Sequence, residues 1–163
     1  MTLPSQRLTN LGLNLPPVPA PVAAYVPAVR VGDLIYSAGQ LPTVDSRLIA
    51  TGKVGAELGV EEAAGCARVA ALNAVAAVAA EAGGVDAVLQ VIKVLVFVSS
   101  EPHFTGQPQV GNGASQLLGE IFGDSGRHAR SAVGVAVLPL DAPVEVELIV
   151  RAEPVLRVQP VAM

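Results

Sequence analysis

The sequence predicts one α+β domain, in which two helices cover one face of a β-sheet. The hydrophobic pattern supports this class because it runs in the order strands, helix, strand, helix, strands. The length supports a single domain because 163 residues suffice for one hydrophobic core. Since both helices lie on one face, we expect the uncovered face of the sheet to form an interface between copies of the chain.

The N-terminal segment is rich in proline, with five prolines among residues 1–24. Proline has no backbone N–H and favours extended conformations, so we expect this segment to be extended. On this basis the chain divides into a Pro-rich arm at 1–20, a domain at 21–155 and a C-terminal tail at 156–163.

A hairpin and a long helix follow the arm. Two β-like runs between residues 25 and 41 are separated by the turn signal Gly32-Asp33 and predict the hairpin. A further short strand is expected at about 48–54. Residues 60–82 predict the longest helix because they contain no proline, are dominated by alanine and end at two glycines. The small side chains of this helix permit close packing on the sheet.

The second half of the chain completes the sheet. Residues 88–99 are β-branched at both odd and even positions, which predicts a central strand buried on both faces. Large aliphatic residues recur at helical spacing within 110–122 and predict the second helix. Two final strands are expected at about 129–138 and 144–152.

The composition predicts a homo-oligomer without a nucleic-acid partner. Hydrophobic residues make up 52% of the chain and charged residues 15%, against about 25% in typical soluble domains. One small domain cannot bury this much apolar surface, so part of it is expected to face another copy. Nucleic-acid binding relies on clustered cations, whereas the net charge here is −4 and the Lys and Arg residues are scattered.

The same composition predicts a cytoplasmic protein without a membrane span, a metal or a cofactor. No apolar run approaches the roughly 20 residues that span a bilayer, and the N-terminus lacks a signal-peptide pattern. One cysteine excludes an intrachain disulfide. With only two histidines beside it, a typical zinc site is not expected.

The most informative polar residues are Arg130 and Glu145, on the two final strands. A guanidinium and a carboxylate on adjoining strands of a charge-poor protein predict a ligand site. In a simple hairpin of these strands, Arg130 would lie opposite residue 152, seven residues from Glu145. At about 3.3 Å per residue, this distance is too long for one small substrate. Either the strands are not adjacent in that register, or the carboxylate comes from a neighbouring subunit.

Simpler interpretations exist for these charged residues. Arg130 could form a structural ion pair or lie at a solvated strand end. Glu145 and Glu147 are two residues apart and share one strand face, which could be a polar outer face.

Five segments of the chain, in order, resemble successive motifs of the Rid (YjgF-like) family. The resemblance covers roughly residues 21–153. Its segments are Pro21 to Val29, Leu34 to Pro42, Val91 to Val98, Ala129 to Val133, and Leu138-Pro139 through Glu145-Val146-Glu147.

The resemblance implies a fold, an assembly and a reaction. The fold is chorismate-mutase-like, with a mixed sheet and two helices on one face. The assembly is a homotrimer around a central barrel, with ligand clefts between subunits. The reaction is hydrolysis of reactive 2-imino acids and enamines to 2-oxo acids and ammonia. Family members have also been labelled endoribonucleases or translation inhibitors.

The resemblance also assigns roles to individual residues. Arg130 matches the arginine that binds the substrate carboxylate, for which a planar guanidinium offers two parallel hydrogen bonds. Glu145 matches the acidic residue and would position the attacking water. The remaining substrate-binding positions are Tyr25, Ala38, Gly39 and Ala132, the last through its backbone carbonyl.

Three positions depart from the family pattern. Many active members have serine where this chain has Ala38, although Ser37 could substitute through a bulge. Many deaminases have cysteine in place of Ala132. Proline is common where this chain has His128, which shares a strand face with Arg130 if extended and is expected to be a surface histidine. Two alternatives to an imine hydrolase are a noncatalytic module that binds 2-oxo acids and an RNA-cleaving or translation-inhibiting protein.

Overall fold

A five-stranded mixed sheet forms the centre of the protein. The structure, a computed structural model, describes residues 2–18 and 24–154. The elements in chain order are α1 (Pro4–Asn10), β1 (Ala28–Val31), β2 (Leu34–Ser37), β3 (Thr43–Val44), β4 (Arg47–Leu48), α2 (Val60–Ala82), β5 (Val88–Ser99), α3 (Gln107–Phe122), β6 (Ala129–Val135) and β7 (Val144–Ala152).

The strand order in the sheet is β1-β2-β7-β5-β6. Strand β6 pairs with β5 in parallel, after the crossover through α3, whereas β7 pairs antiparallel with the opposite edge of β5. The expectation that the strands of Arg130 and Glu145 adjoin each other is therefore wrong. Strand β5 lies between them because it pairs along both of its edges.

The helices α2 and α3 cover one face of the sheet and enclose the core. Helix α2 has the predicted bounds and ends at Gly83, which adopts a left-handed conformation with φ 87°. Its alanines pack closely, and a Cβ built on Gly113 of α3 would overlap the backbone oxygen of Ala64. Helix α3 begins three residues earlier than predicted, with Pro108 in its first turn, where proline is tolerated.

The sequence predicts an extended N-terminal segment, but part of this segment is helical. Residues 4–10 form α1, because Pro4 stands at the first helical position, where its missing N–H costs nothing. Leu8 is buried in the core, and the backbone N–H and hydroxyl of Ser5 both donate to the Asp86 carboxylate. Residues 19–23 of the predicted extended segment and the whole predicted tail at 156–163 lie outside the described residues.

The short strand expected at about 48–54 is also wrong in its extent. The chain forms the small hairpin β3-β4 instead, through left-handed Asp45 and Ser46. Within the expected range, Val54 makes only isolated bridges, to Leu58 and Ser100.

The second face of the sheet carries no helix within the described residues. We call this second face the open face. Its side chains alternate along each strand with the buried residues of the helix-covered face. Four of the large ones are between 42% and 64% exposed. The large open-face residues include Val29, Val31, Tyr36, Leu95, Phe97, Val133 and Ile149.

Helix α2 is long and apolar enough to cross a membrane by length and composition alone. In the structure, however, 61% of its most apolar window is buried. A core helix that packs against a sheet passes the same test, and α2 packs in this way against β7 and α3.

Candidate functional site

Arg130 points from the edge strand β6 towards the helix layer. It pairs with Val94, whose side chain is fully buried on the helix-covered face. Nη1 of Arg130 donates hydrogen bonds of 3.0 Å to Asn112 Oδ1 and to Ser115 Oγ, and Nη2 donates one of 3.0 Å to the carbonyl of Pro108. All three acceptors are neutral and belong to α3.

This arrangement leaves part of the Arg130 guanidinium available. Of its five N–H donors, the described residues engage three. The N–H of Nε and one N–H of Nη2 remain, and these two nitrogens form the side-on fork that binds a carboxylate bidentately. Among the described residues the one ion pair is Arg68 with Glu120, so no described acid neutralises Arg130.

The interpretation of Arg130 as part of a structural ion pair therefore finds no support in the described part of the chain. Arg130 is also half-buried rather than solvated. Its surroundings hold the guanidinium in a defined position without an anionic partner among the described residues.

His128 takes part in the same hydrogen-bond group. Its Nε2 lies 2.9 Å from Ser115 Oγ, and its Nδ1 lies 2.6 Å from the carbonyl oxygen of Gly126. His128 is half-buried, so the expectation of a surface histidine is wrong. Both ring nitrogens have polar partners, one in the middle of α3 and one in the turn that follows it.

Ala132 lies two residues beyond Arg130 on the same face of β6, and its side chain packs near Gly111 of α3. The N–H of Ser100 donates to the carbonyl of Val135, so odd-numbered carbonyls of β6 point towards β5. Carbonyls alternate in direction along a strand, and the carbonyl of Ala132 therefore points to the outer edge of the sheet.

Glu145 lies on the open face, near the N-terminal end of β7. It pairs with Phe97 of β5 and is half-buried. Burial raises the pKa of the Glu145 carboxyl above its ordinary value, and the nearby charge of Glu147 raises it further. A carboxyl in this environment exchanges its proton closer to neutral pH than the carboxyl of an exposed glutamate does.

Gly39 and Ala38 lie beside Glu145 in a bulge of the sheet. The register of β2 against β7 shifts by one residue between Tyr36↔Ile149 and the bridge Gln40↔Val146. A Cβ built on Gly39 would overlap Oε1 of Glu145, so glycine is required for the close approach.

Ser37, in the same bulge, accepts a hydrogen bond of 2.9 Å from the backbone N–H of Leu148. Its hydroxyl oxygen thus completes the backbone pairing at the bulge. Tyr25 stands three residues before β1, whose first residue pairs with Ser37, and its side chain is 66% exposed. The structure therefore places Tyr25 at the same end of the hairpin as Ala38 and Gly39.

The predicted site residues fall into two groups in one chain. Arg130 and Ala132 lie at the β6 edge, on the face that α3 partly covers. Glu145 and Gly39 lie on or beside the open face, and two strand spacings and three residues separate Glu145 from Arg130. With about 4.8 Å per strand and 3.3 Å per residue, the backbones are about 14 Å apart. One small substrate cannot contact both groups within one chain.

The α3 partners of Arg130 are not among the site residues predicted from the sequence. Pro108, Asn112 and Ser115 recur at intervals of four and three residues and share one helix face with Gly111. A Cβ on Gly111 would come within 3.3 Å of the guanidinium carbon of Arg130. This small and polar stripe, opposite the buried aliphatic stripe of α3, was a usable signal.

A comparison with protein families classifies the chain. Residues 5–152 match the family described as "YjgF/chorismate mutase-like, putative endoribonuclease". The chain belongs to this YjgF family, which confirms the resemblance, and its mixed sheet with helices on one face is the family's α+β fold.

Two relatives match almost the whole chain. Protein TCP17 of Trypanosoma cruzi is 46% identical over 146 residues, which cover 89% of this chain and 91% of the relative. A 2-iminobutanoate/2-iminopropanoate deaminase of Dermatophagoides farinae is 34% identical over 142 residues, which cover 86% of this chain and 95% of the deaminase.

Solved structures agree with this classification. The protein Atu1372 of Agrobacterium tumefaciens, described as of unknown function, has a TM-score of 0.85 and 41% identity, covering 93% of this chain and 94% of its own. E. coli TdcF, solved with bound serine, has a TM-score of 0.61 and 25% identity, covering 83% of this chain and 94% of its own.

Proposed function

We propose that this protein hydrolyses 2-imino acids and their enamine tautomers to 2-oxo acids and ammonia. The observation that carries the proposal is the state of Arg130. Its charge is held in place by three neutral acceptors, while Nε and one N–H of Nη2 remain available for a carboxylate. The relatives support the reaction class, since one is named an imine deaminase and another was solved with an amino acid bound.

The proposed site lies between two copies of the chain. Arg130 and Ala132 come from one subunit, and Glu145, Gly39, Ala38 and Tyr25 come from its neighbour. The wide separation of the two groups in one chain supports this arrangement. We propose a homotrimer whose open faces, rich in exposed aliphatic side chains, form its central barrel. The cytoplasm is the proposed location.

The proposed chemistry needs one water molecule for each imine. Arg130 binds the carboxylate and thereby fixes the position of the adjacent C=N bond. The Glu145 carboxylate accepts a proton from water while the water oxygen bonds to the imine carbon and the C=N electron pair moves to nitrogen. Glu145 then returns the proton to nitrogen, which gives a carbinolamine. The hydroxyl proton of this intermediate passes through Glu145 to nitrogen, the C–N bond breaks, ammonia leaves, and the C=O bond of the 2-oxo acid forms. The carbonyl of Ala132 would hold the water at the sheet edge.

A coupled assay tests this proposal. An amino-acid oxidase generates the 2-imino acid in situ, and its hydrolysis is compared with the same mixture lacking the protein. We expect acceleration by the wild type. Arg130→Ala should weaken carboxylate binding by roughly 2–5 kcal/mol if the pair is buried, and Glu145→Gln should slow the reaction by roughly 10²- to 10⁴-fold. Arg130→Lys is the matched control, since it keeps the charge and loses the fork.

Two outcomes would contradict the proposal. If the wild type binds a 2-oxo acid through Arg130 without accelerating hydrolysis, the protein is the noncatalytic carboxylate-binding module. If Arg130→Ala binds a 2-oxo acid as tightly as the wild type, the assignment of Arg130 is wrong. The oligomeric state of each variant is measured in parallel, so that a loss of assembly is not mistaken for a loss of the site.

A further inference from the structure

A chain of hydrogen bonds links Arg130 to a histidine that has no role in the proposed reaction. Nη1 of Arg130 donates to Ser115 Oγ at 3.0 Å, and Ser115 Oγ lies 2.9 Å from Nε2 of His128. Nδ1 of His128 lies 2.6 Å from the carbonyl oxygen of Gly126. The chain thus runs from the β6 edge through α3 to the turn that follows it.

The chemistry of the partners determines the direction of each bond. A carbonyl oxygen only accepts, so Nδ1 of His128 carries the hydrogen and donates to Gly126. In the neutral imidazole, Nε2 is then an acceptor and takes the hydroxyl hydrogen of Ser115. With its hydrogen directed to His128, the Ser115 oxygen presents its lone pairs to Arg130.

We propose that His128 is a positioning residue for Arg130 and acts through the Ser115 hydroxyl. By holding that hydroxyl as an acceptor, His128 fixes Nη1 in the α3 contact and keeps the Nε and Nη2 donors directed at the ligand. This inference rests on the proposed function for its consequence, which is tighter binding of the substrate carboxylate. The arrangement of the guanidinium itself does not depend on that function.

Two neutral substitutions separate this role from a merely structural one. In His128→Gln, the side-chain amide can reach the position of Nε2 and accept from Ser115. In His128→Asn, the shorter amide can reach the position of Nδ1 and donate to Gly126, but it does not reach Ser115. His128→Gln is therefore the rescuing variant and His128→Asn its matched control, with Ser115→Ala as a third variant that removes the middle of the chain.

The first measurement uses arginine side-chain NMR on the ligand-free protein. In the wild type and in His128→Gln, we expect slow rotation of the Arg130 guanidinium, seen as separate Hη signals. In His128→Asn and Ser115→Ala these signals should merge. Equally restricted rotation in all four proteins would overturn the proposal, whatever the protein's activity.

The second measurement uses 2-oxobutanoate as the probe. Its dissociation constant should rise about tenfold in His128→Asn and in Ser115→Ala, stay near the wild-type value in His128→Gln, and rise no further when His128→Asn and Ser115→Ala are combined. In the imine assay, KM should rise with little change in kcat. Additive losses in the double variant would overturn the proposal. If the NMR difference is found but the wild type binds no 2-oxobutanoate, the positioning of Arg130 stands and the proposed function fails.

Discussion

The environments of Arg130 and Glu145 differ in a way that their sequence positions do not reveal. Arg130 donates hydrogen bonds to neutral oxygen acceptors of α3, which hold its guanidinium in one orientation. Glu145 instead lies half-buried on the open face, where burial and Glu147 both favour the protonated carboxyl. The first region holds a guanidinium in one orientation, and the second raises the pKa of a carboxyl.

Under the proposed function, this difference makes each region alone an incomplete site. A carboxylate bound at Arg130 would lie far from Glu145 of the same chain, because β5 and three residues of strand lie between the two groups. Among the described residues, Glu145 forms no ion pair with a cation. In the assembly proposed above, two copies would bring the β6 edge of one against the Glu145 end of the other, and the two regions would complement each other.

Complementation between two inactive variants should have the largest effect. Chains with Arg130→Ala and chains with Glu145→Gln are coexpressed, so that mixed oligomers form. In a random mixture, about a quarter of the interfaces combine the intact Arg130 of one chain with the intact Glu145 of another. Imine hydrolysis should therefore return from background to about a quarter of the wild-type rate.

A second mixture controls this experiment. Wild-type chains are coexpressed with chains that carry both substitutions. A site shared between subunits retains about a quarter of the wild-type rate, whereas a site within one chain retains about half. No recovery in the first mixture together with half activity in the second would place the whole site in one chain and contradict the shared arrangement.

Gly39→Ala should damage the Glu145 region while sparing the Arg130 region. The new methyl group would overlap Oε1 of Glu145, the far end of a flexible side chain, so the carboxylate moves and the fold persists. A displacement of about 1 Å at a reacting group can cost about 100-fold in rate, and we expect a loss of this order in kcat. The affinity for 2-oxobutanoate, measured by calorimetry, should change much less.

Gly65→Ala is the matched control, because a Cβ there meets nothing within 4 Å. It should leave both kcat and affinity unchanged. If Gly39→Ala instead keeps the wild-type kcat, Glu145 does not need its observed position, and its role in the reaction is wrong.

Local signals account for the parts of the fold that the sequence predicted. Helix α2 has the predicted bounds because alanine-rich sequence and a left-handed glycine at Gly83 are both local features. Strand β5 likewise follows from its run of β-branched residues. The expectation that both of its faces are buried is wrong for the described residues, since Leu89 and Ile92 are exposed. Helix α1 was missed because Pro4 was counted as a helix breaker, although at the first helical position it is favourable.

The order of the strands in the sheet could not be predicted from such local signals. Whether β7 pairs with β6 or with β5 depends on contacts between residues far apart in the chain, and the short connection between β6 and β7 favours the wrong answer. The two site residues Arg130 and Glu145 could be named by resemblance, but their surroundings could not. The stripe of Pro108, Asn112 and Ser115 was visible, yet its contact with Arg130 is a tertiary one.

Glu147→Gln should have the smallest effect and should act only through pH. Glu145 is active as a base when it is ionised, so the rate falls as pH decreases through its pKa. Burial and the charge of Glu147 both raise that pKa. Removing the Glu147 charge lowers it, because the ionised form of Glu145 loses an unfavourable neighbour. The acidic limb of the kcat profile should therefore move to lower pH, while the rate on the alkaline plateau stays nearly constant.

A profile of initial rates from pH 4 to pH 8, at roughly half-unit steps, would resolve a shift of a few tenths of a unit. Phe97 of β5, which pairs with Glu145, offers a second test of the same pKa: Phe97→Ala should expose the carboxyl to water and should also lower its pKa. A limb that moves with neither substitution would show that the acidic limb belongs to another group, and it would remove Glu145 as the titrating base.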